Sequence, residues 1–102
     1  MKRPVTVRFS NSALGEMLAI DRWWRLHHPA NSSGFDDEMT DTMAFLERTP
    51  EGAPIAQSQK HKRARVKVMT QTGHLVVYWY AKKTKTVTIT AVVAAKATSQ
   101  RP

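Results

Sequence analysis

The chain has 102 residues, no cysteine and a formal net charge of +8, with 41% hydrophobic and 24% charged residues. That length makes one domain able to bury roughly two-thirds of its unfolded surface, and the lack of cysteine excludes a disulfide scaffold, thiolate chemistry and the usual zinc ligands. No stretch approaches the ~18 apolar residues of a membrane span, and the basic start Met1-Lys2-Arg3-Pro4 lacks the apolar segment of a signal peptide, so a cytoplasmic protein without membrane contact is expected.

Residues 5–9 alternate apolar and polar, the period of a half-buried strand. Ser10, Asn11 and Ser12 follow as N-cap candidates, whose side-chain oxygens accept from the free N–H groups of a helix start. The helix predicted after them carries Ala13, Met17, Ile20 and Trp24 on one stripe, with Leu14 and Leu18 beside it. Gly15 weakens it by about 1 kcal/mol relative to Ala, and it ends near His28, ahead of Pro29. Ser32 and Ser33 cap a second helix. Its first turn holds Asp36, Asp37 and Glu38, where carboxylates offset the positive end of the dipole. Phe35, Met39, Met43 and Leu46 form its apolar stripe, and Pro50 stops it. The short link 29–31 makes the two helices an antiparallel hairpin.

Residues 50–54 form a turn, and a loop runs on to about residue 62. Three strands follow, 64–70, 74–81 and 86–93, with turns at 71–73 and 82–85. The first sets Val66 and Val68 against Arg65 and Lys67. The second is apolar on both faces, as a central strand should be. The third is expected to place Val87, Ile89, Ala91 and Val93 inward, with Thr88 and Thr90 outward. The tail 94–102 is expected to fray. This order implies a single α+β domain over 1–102: an N-terminal strand, then an antiparallel helical hairpin packed on one face of a small, mainly antiparallel sheet. The opposite sheet face is expected to carry Arg65, Lys67, Tyr78 and Tyr80, joined by Arg8 if the first strand pairs in that register.

Charge is divided along the chain. Residues 60–102 hold ten Lys or Arg and no Asp or Glu, whereas all eight carboxylates lie at or before Glu51, among six basic residues. Cations fixed on a sheet suit a phosphate-bearing or acidic partner. Such a pattern also fits a solvated face that keeps a small protein soluble.

The order of elements, with Trp23-Trp24-Arg25 running into Pro29, Phe35…Glu38, Leu46…Thr49-Pro50-Glu51-Gly52 and a basic strand before His74-Leu75-Val76-Val77-Tyr78, resembles the RelE/ParE superfamily of toxins from bacterial type II toxin–antitoxin pairs. The resemblance covers residues 5 to about 93 and implies a toxin neutralised by a cognate antitoxin with an acidic C-terminal segment. RelE-like members cut mRNA in the ribosome, and ParE-like members act on DNA gyrase. The cutting set of the RelE type is thinned here. Met69-Thr70 and Val93-Ala94-Ala95 stand where cations would be wanted, with Lys96 alone left near the end. The resemblance is therefore ParE-like rather than RelE-like, with growth inhibition by binding and no cofactor or metal.

Residue types leave several roles open. Metal-free RNA cleavage needs a proton acceptor, a donor to the leaving oxygen and cations for the phosphate. Arg65, Lys67, His74 and Tyr78 are the candidates for such chemistry, with His61 a second histidine able to move a proton near neutral pH. Lys60, Lys62, Arg63, Arg65, Lys67, Tyr80 and Lys96 are the candidates for contact with a target or nucleic acid. Tyr78 and Tyr80 could stack bases or pack under Lys and Arg stems. Adjacent on a helix, Trp23 and Trp24 cannot both face the core; Trp24 continues the stripe. Trp23, with Arg25, is the candidate antitoxin contact. His27-His28 lack the spacing of a metal pair and suit the helix C-terminal carbonyls.

Overall fold

The structure is a computed structural model and describes residues 5–55 and 64–95. Along the chain run β1 (Thr6–Phe9), α1 (Asn11–His27), one turn of 3-10 helix (Pro29–Asn31), α2 (Gly34–Arg48), β2 (Arg65–Met69), β3 (His74–Ala81) and β4 (Thr86–Ala94). The strands form one sheet in the order β1-β4-β3-β2, with β1 parallel to β4 and the other pairs antiparallel. This is the α+β arrangement that the periodicities predict. No helix among the described residues is long and apolar enough to cross a membrane.

The helix boundaries follow from local chemistry. Ser10 is the N-cap of α1, and its hydroxyl oxygen accepts from the Ala13 N–H at 3.1 Å. At the other end the His28 N–H returns to the Trp24 carbonyl at 2.8 Å, and Pro29 prevents continuation. The buried Trp24 indole N–H donates to the Asn31 carbonyl at 2.8 Å, which fixes the turn into α2. Gly34 opens α2 at this crowded junction, where a Cβ would come within 3.0 Å of the Trp24 indole nitrogen and closer still to the Asn31 amide. Ser33 stands at the α2 N-cap as expected, but its hydroxyl donates to the Asp37 carboxylate at 2.9 Å instead of accepting from the backbone.

The core is one layer deep between helices and sheet. Trp24 of α1 and Phe35, Met39 and Leu46 of α2 close against Met69, Val76, Tyr78, Val87, Ile89 and Val92. Each large apolar side chain buried there contributes roughly 1.5–3 kcal/mol. The Tyr78 hydroxyl has its partner, donating to the Pro50 carbonyl at 2.9 Å.

Two expectations about sidedness are overturned. Arg65, Lys67, Tyr78 and Tyr80 do share one face, because Arg65 pairs with Tyr78 and Lys67 with Val76. That face is the one under the helices, since His74, Val76 and Tyr78 are its buried members. Its edge position lets β2 tolerate cations there: long stems pass beyond the helix cover while their heads find partners. Arg8 pairs with Thr88, beside Trp79, and so lies on the opposite, open face. The second correction concerns β4. Val77 pairs with Ala91 but Tyr78 with Ile89, leaving Thr90 as the extra residue of a β-bulge. Val87 and Ile89 point inward as expected, but beyond the bulge the alternation inverts. Val92 is buried in place of Ala91 and Val93.

Two helix carboxylates tie the layers together. Glu38, expected to serve the α2 dipole, is buried and accepts from the Gln71 N–H at 2.9 Å, the Thr72 N–H at 2.8 Å and the Thr72 hydroxyl at 2.7 Å. Glu16 accepts from the Val92 N–H at 2.8 Å, just past the bulge and beyond the last residue of β4 that pairs with β1. Replacing Glu38 by Gln leaves one acceptor oxygen for three donors and turns amide hydrogens toward N–H groups. Glu38→Gln should cost about 2 kcal/mol and Tyr78→Phe about 1 kcal/mol, both read as lower urea midpoints at unchanged slope.

Candidate interaction surfaces

The described residues proposed for chemistry share one sheet face, where their polar groups are buried or engaged. Lys60, His61, Lys62, Arg63 and Lys96 lie outside the described residues. Tyr78 is fully buried, and burial pushes its phenol up from the ordinary value. His74 is buried with its ring edge toward Phe35, centroids 5.1 Å apart, and Nδ1 3.1 Å from the Thr72 hydroxyl. Burial lowers its pKa, against a smaller opposing pull from Glu38. The Tyr78 phenol belongs to the core, and the His74 imidazole stands at the core's margin.

Arg65 and Lys67 are likewise engaged. The Arg65 guanidinium donates to the Ala53 carbonyl at 2.7 Å and the Glu51 carbonyl at 3.2 Å, which pins the segment after α2 to the edge strand. The Val66 N–H to the Pro54 carbonyl, 3.0 Å, does the same from the backbone. Lys67 Nζ sits 5.0 Å from the centroid of the Phe45 ring and donates to the Val68 carbonyl at 3.1 Å, shielding part of the β2 edge.

A basic pocket forms at the end of the sheet near the β3–β4 turn. It is a shallow cavity of about 240 Å³ in which Arg65 and Tyr80 meet Lys82 and Lys83, with Glu51 at its margin. Glu51 reaches Lys82 at 3.5 Å, an exposed pair that leaves the pocket positive. The lysines were read from the sequence as turn residues only; their run of three in four positions, Lys82, Lys83 and Lys85, was the available signal.

A second feature opens at the other end of β3. Ile20, Trp23, Trp24 and His28 at the end of α1 face Thr72 and His74 across a mainly apolar groove of about 630 Å³. Trp23 is 50% exposed and stacks on His27, with centroids 4.3 Å apart. His27 Nδ1 lies 2.9 Å from the Trp23 carbonyl, the helix-end contact expected of it. Arg25, paired with Asp21 at 2.9 Å, points along α1 and does not line this groove. Among the described residues, no group of His, Asp and Glu is spaced to hold a metal.

A helical pair over a four-stranded mixed sheet, rimmed by a basic pocket and an aromatic groove, is the class of domain these elements define. Among solved structures the chain is similar to a chain of the chromosomal ParDE TA system from P. aeruginosa, with TM-score 0.70, 10% identity, and 88% of this chain and 95% of that one covered. It is also similar to the isolated E. coli RelE toxin, with TM-score 0.65, 15% identity and coverage of 93% and 88%. A third likeness is to the toxin–antitoxin complex RelBE2 from Mycobacterium tuberculosis, with TM-score 0.57, 18% identity and coverage of 92% and 94%. By sequence, no family model and no curated protein matches. The chain thus has the fold of RelE and ParE toxin structures over most of its length, and both types match it.

His74 makes a pH-dependent contribution whose sign is set by burial. The unfolded chain takes up a proton at the ordinary value of 6.5, and the folded chain only at lower pH. Stability therefore falls as pH drops through that value and levels off below the folded pKa. Urea midpoints measured from about pH 7.5 to about pH 5 should decline in this way, and His74→Gln should flatten the decline.

Proposed function

We propose that the protein is the toxin of a type II toxin–antitoxin module, acting by binding an essential target and silenced by an acidic antitoxin segment. The likeness to ParDE, RelE and RelBE2 structures supports the toxin–antitoxin reading. The observation that carries binding over RNA cleavage is the open sheet face, where Arg8 is the one charged side chain among the described residues. A phosphodiester on that face would meet valines, a tryptophan and threonines, with neither a proton acceptor nor paired cations. DNA gyrase is the target implied by the ParE-like resemblance. The antitoxin segment is read as disordered when free and folded on the toxin. It would bury Trp23 in the aromatic groove and set carboxylates against Arg65, Lys82 and Lys83 at the far end of β3, roughly 25 Å away at a strand's rise per residue.

Induced expression with growth, DNA-damage response and mRNA ends scored together tests this. Growth arrest with a damage response and intact mRNA is expected. Cuts at codon spacing in toeprints of translating ribosomes would instead establish the RelE-like endonuclease, and no arrest at all would leave a basic nucleic-acid-binding module. Trp23→Ala should weaken capture by the cognate antitoxin about tenfold or more, as loss of an aromatic anchor does, while arrest persists.

A further inference from the structure

Hydrogen bonding fixes the tautomer of His74. A carboxylate only accepts, so the Thr72 hydroxyl spends its one proton on Glu38 at 2.7 Å. The hydroxyl oxygen then receives the proton of His74 Nδ1, 3.1 Å away. Burial disfavours the charged ring, and a neutral imidazole protonated at Nδ1 carries its free lone pair on Nε2. Among the described residues, Asp21 Oδ1 is the one enclosed side-chain nitrogen or oxygen without a partner. His74 Nε2, which also has none, is therefore not enclosed, and it opens onto the groove that His74 lines. The turn beside it is equally fixed. Glu38 takes the Gln71 and Thr72 N–H groups, Gly73 adopts a φ of 77°, and its carbonyl accepts from the Ala95 N–H at 2.9 Å. The acceptor is thus held in place before anything binds.

We infer that this groove binds a small, uncharged, planar aromatic molecule bearing a ring N–H or phenolic O–H, laid against the indoles of Trp23 and Trp24 and donating to His74 Nε2. Its volume of about 630 Å³ falls in the range of small-molecule sites, roughly 300–1,000 Å³. The aromatic wall is set in advance, since Trp24 stacks on His28 with centroids 3.8 Å apart. Chemistry narrows the occupant. No Lys, Arg, Asp or Glu lines the groove, so a phosphate, carboxylate or ammonium would lose water there without a partner. A chain segment threaded through it would bury several peptide groups against a mainly apolar wall. A hydrocarbon without a donor would cover Nε2 and leave it unpaired. Such a ligand goes beyond the toxin reading. It shares Trp23 with the antitoxin contact proposed above, so the two would exclude each other at that residue, but it needs only the chain itself.

Titration of the purified chain with indole, 3-methylindole and 1-methylindole, followed by amide and imidazole nitrogen shifts, tests this. The first two should bind and move Trp23, Thr72, Gly73 and His74 Nε2. The third carries the same methyl group as the second but no N–H, and should bind about fivefold to tenfold more weakly. His74→Phe keeps a ring without the acceptor and should erase that difference. Thr72→Val releases the tautomer and should shrink it, whereas Leu18→Ser on the exposed side of α1 should leave every affinity unchanged. Thermal melts show which variants are folded; should His74→Phe not fold, the methylindole pair and Thr72→Val still decide. Equal affinity for the two methylindoles, or a difference that survives in folded His74→Phe, would overturn the inference. So would shifts outside the groove, no saturable binding of indole, or tighter binding of a single-stranded oligonucleotide at the groove. No antitoxin enters the measurement, so the ligand site and the toxin reading can fail separately.

Discussion

The carboxylate of Glu38 holds the second helix to the turn between β2 and β3, and much of the fold follows from that contact. It meets three donors on two residues more than thirty positions away. A buried carboxylate is stable only when its oxygens are occupied, because the desolvation it suffers must be offset by charge-assisted hydrogen bonds. The contact therefore fixes α2 over the β2–β3 end of the sheet. It also holds Thr72 beside His74, whose ring meets Phe35 from the same helix. Glu16 makes the corresponding tie from α1, to the Val92 N–H past the reach of β1.

The use of carboxylates as ties has an electrostatic consequence. Every Asp and Glu of the chain belongs to the helical layer or to the turn after it, and the sheet contributes only cations. Of those, Arg65 and Lys67 are spent on backbone carbonyls and an aromatic ring. Among the described residues of the sheet and its turns, positive charge not spent in this way lies at the β3–β4 turn and at Arg8. A surface built this way offers apolar contact at its centre and positive charge at its rim.

Much of the fold was legible locally. The serine cluster before α1, the X-Pro stop after it and the alternation of the strands each act through nearest neighbours, and the helices and strands form where they predict. The candidate site was less legible. Alternation in β2 showed that Arg65 and Lys67 share a face but not which face the helices cover. The usual inference, valines inward, fails because β2 is an edge strand whose parity is set by β3. In β3 both faces are apolar, so the period carries no sign. The regular Val-Thr-Ile-Thr alternation of β4 likewise gave no warning that Thr90 would be looped out, its hydroxyl lying 3.3 Å from the Val77 carbonyl. The one signal that could have been used was the surplus itself: a strand with two apolar faces and one helical layer leaves one face bare.

The amino-acid sequence alone determined the elements, their caps, the two-layer architecture and the segregation of charge, because these depend on side chains within a turn or a strand of one another. Only the tertiary structure decided which side of the sheet meets the helices, where β4 inverts, and which cations remain free. Those outcomes turn on contacts between residues far apart in the chain: Tyr78 with the Pro50 carbonyl, Arg65 with the Ala53 carbonyl, and Glu38 with the Thr72 N–H. Each satisfies a buried or half-buried polar group that local periodicity cannot assign.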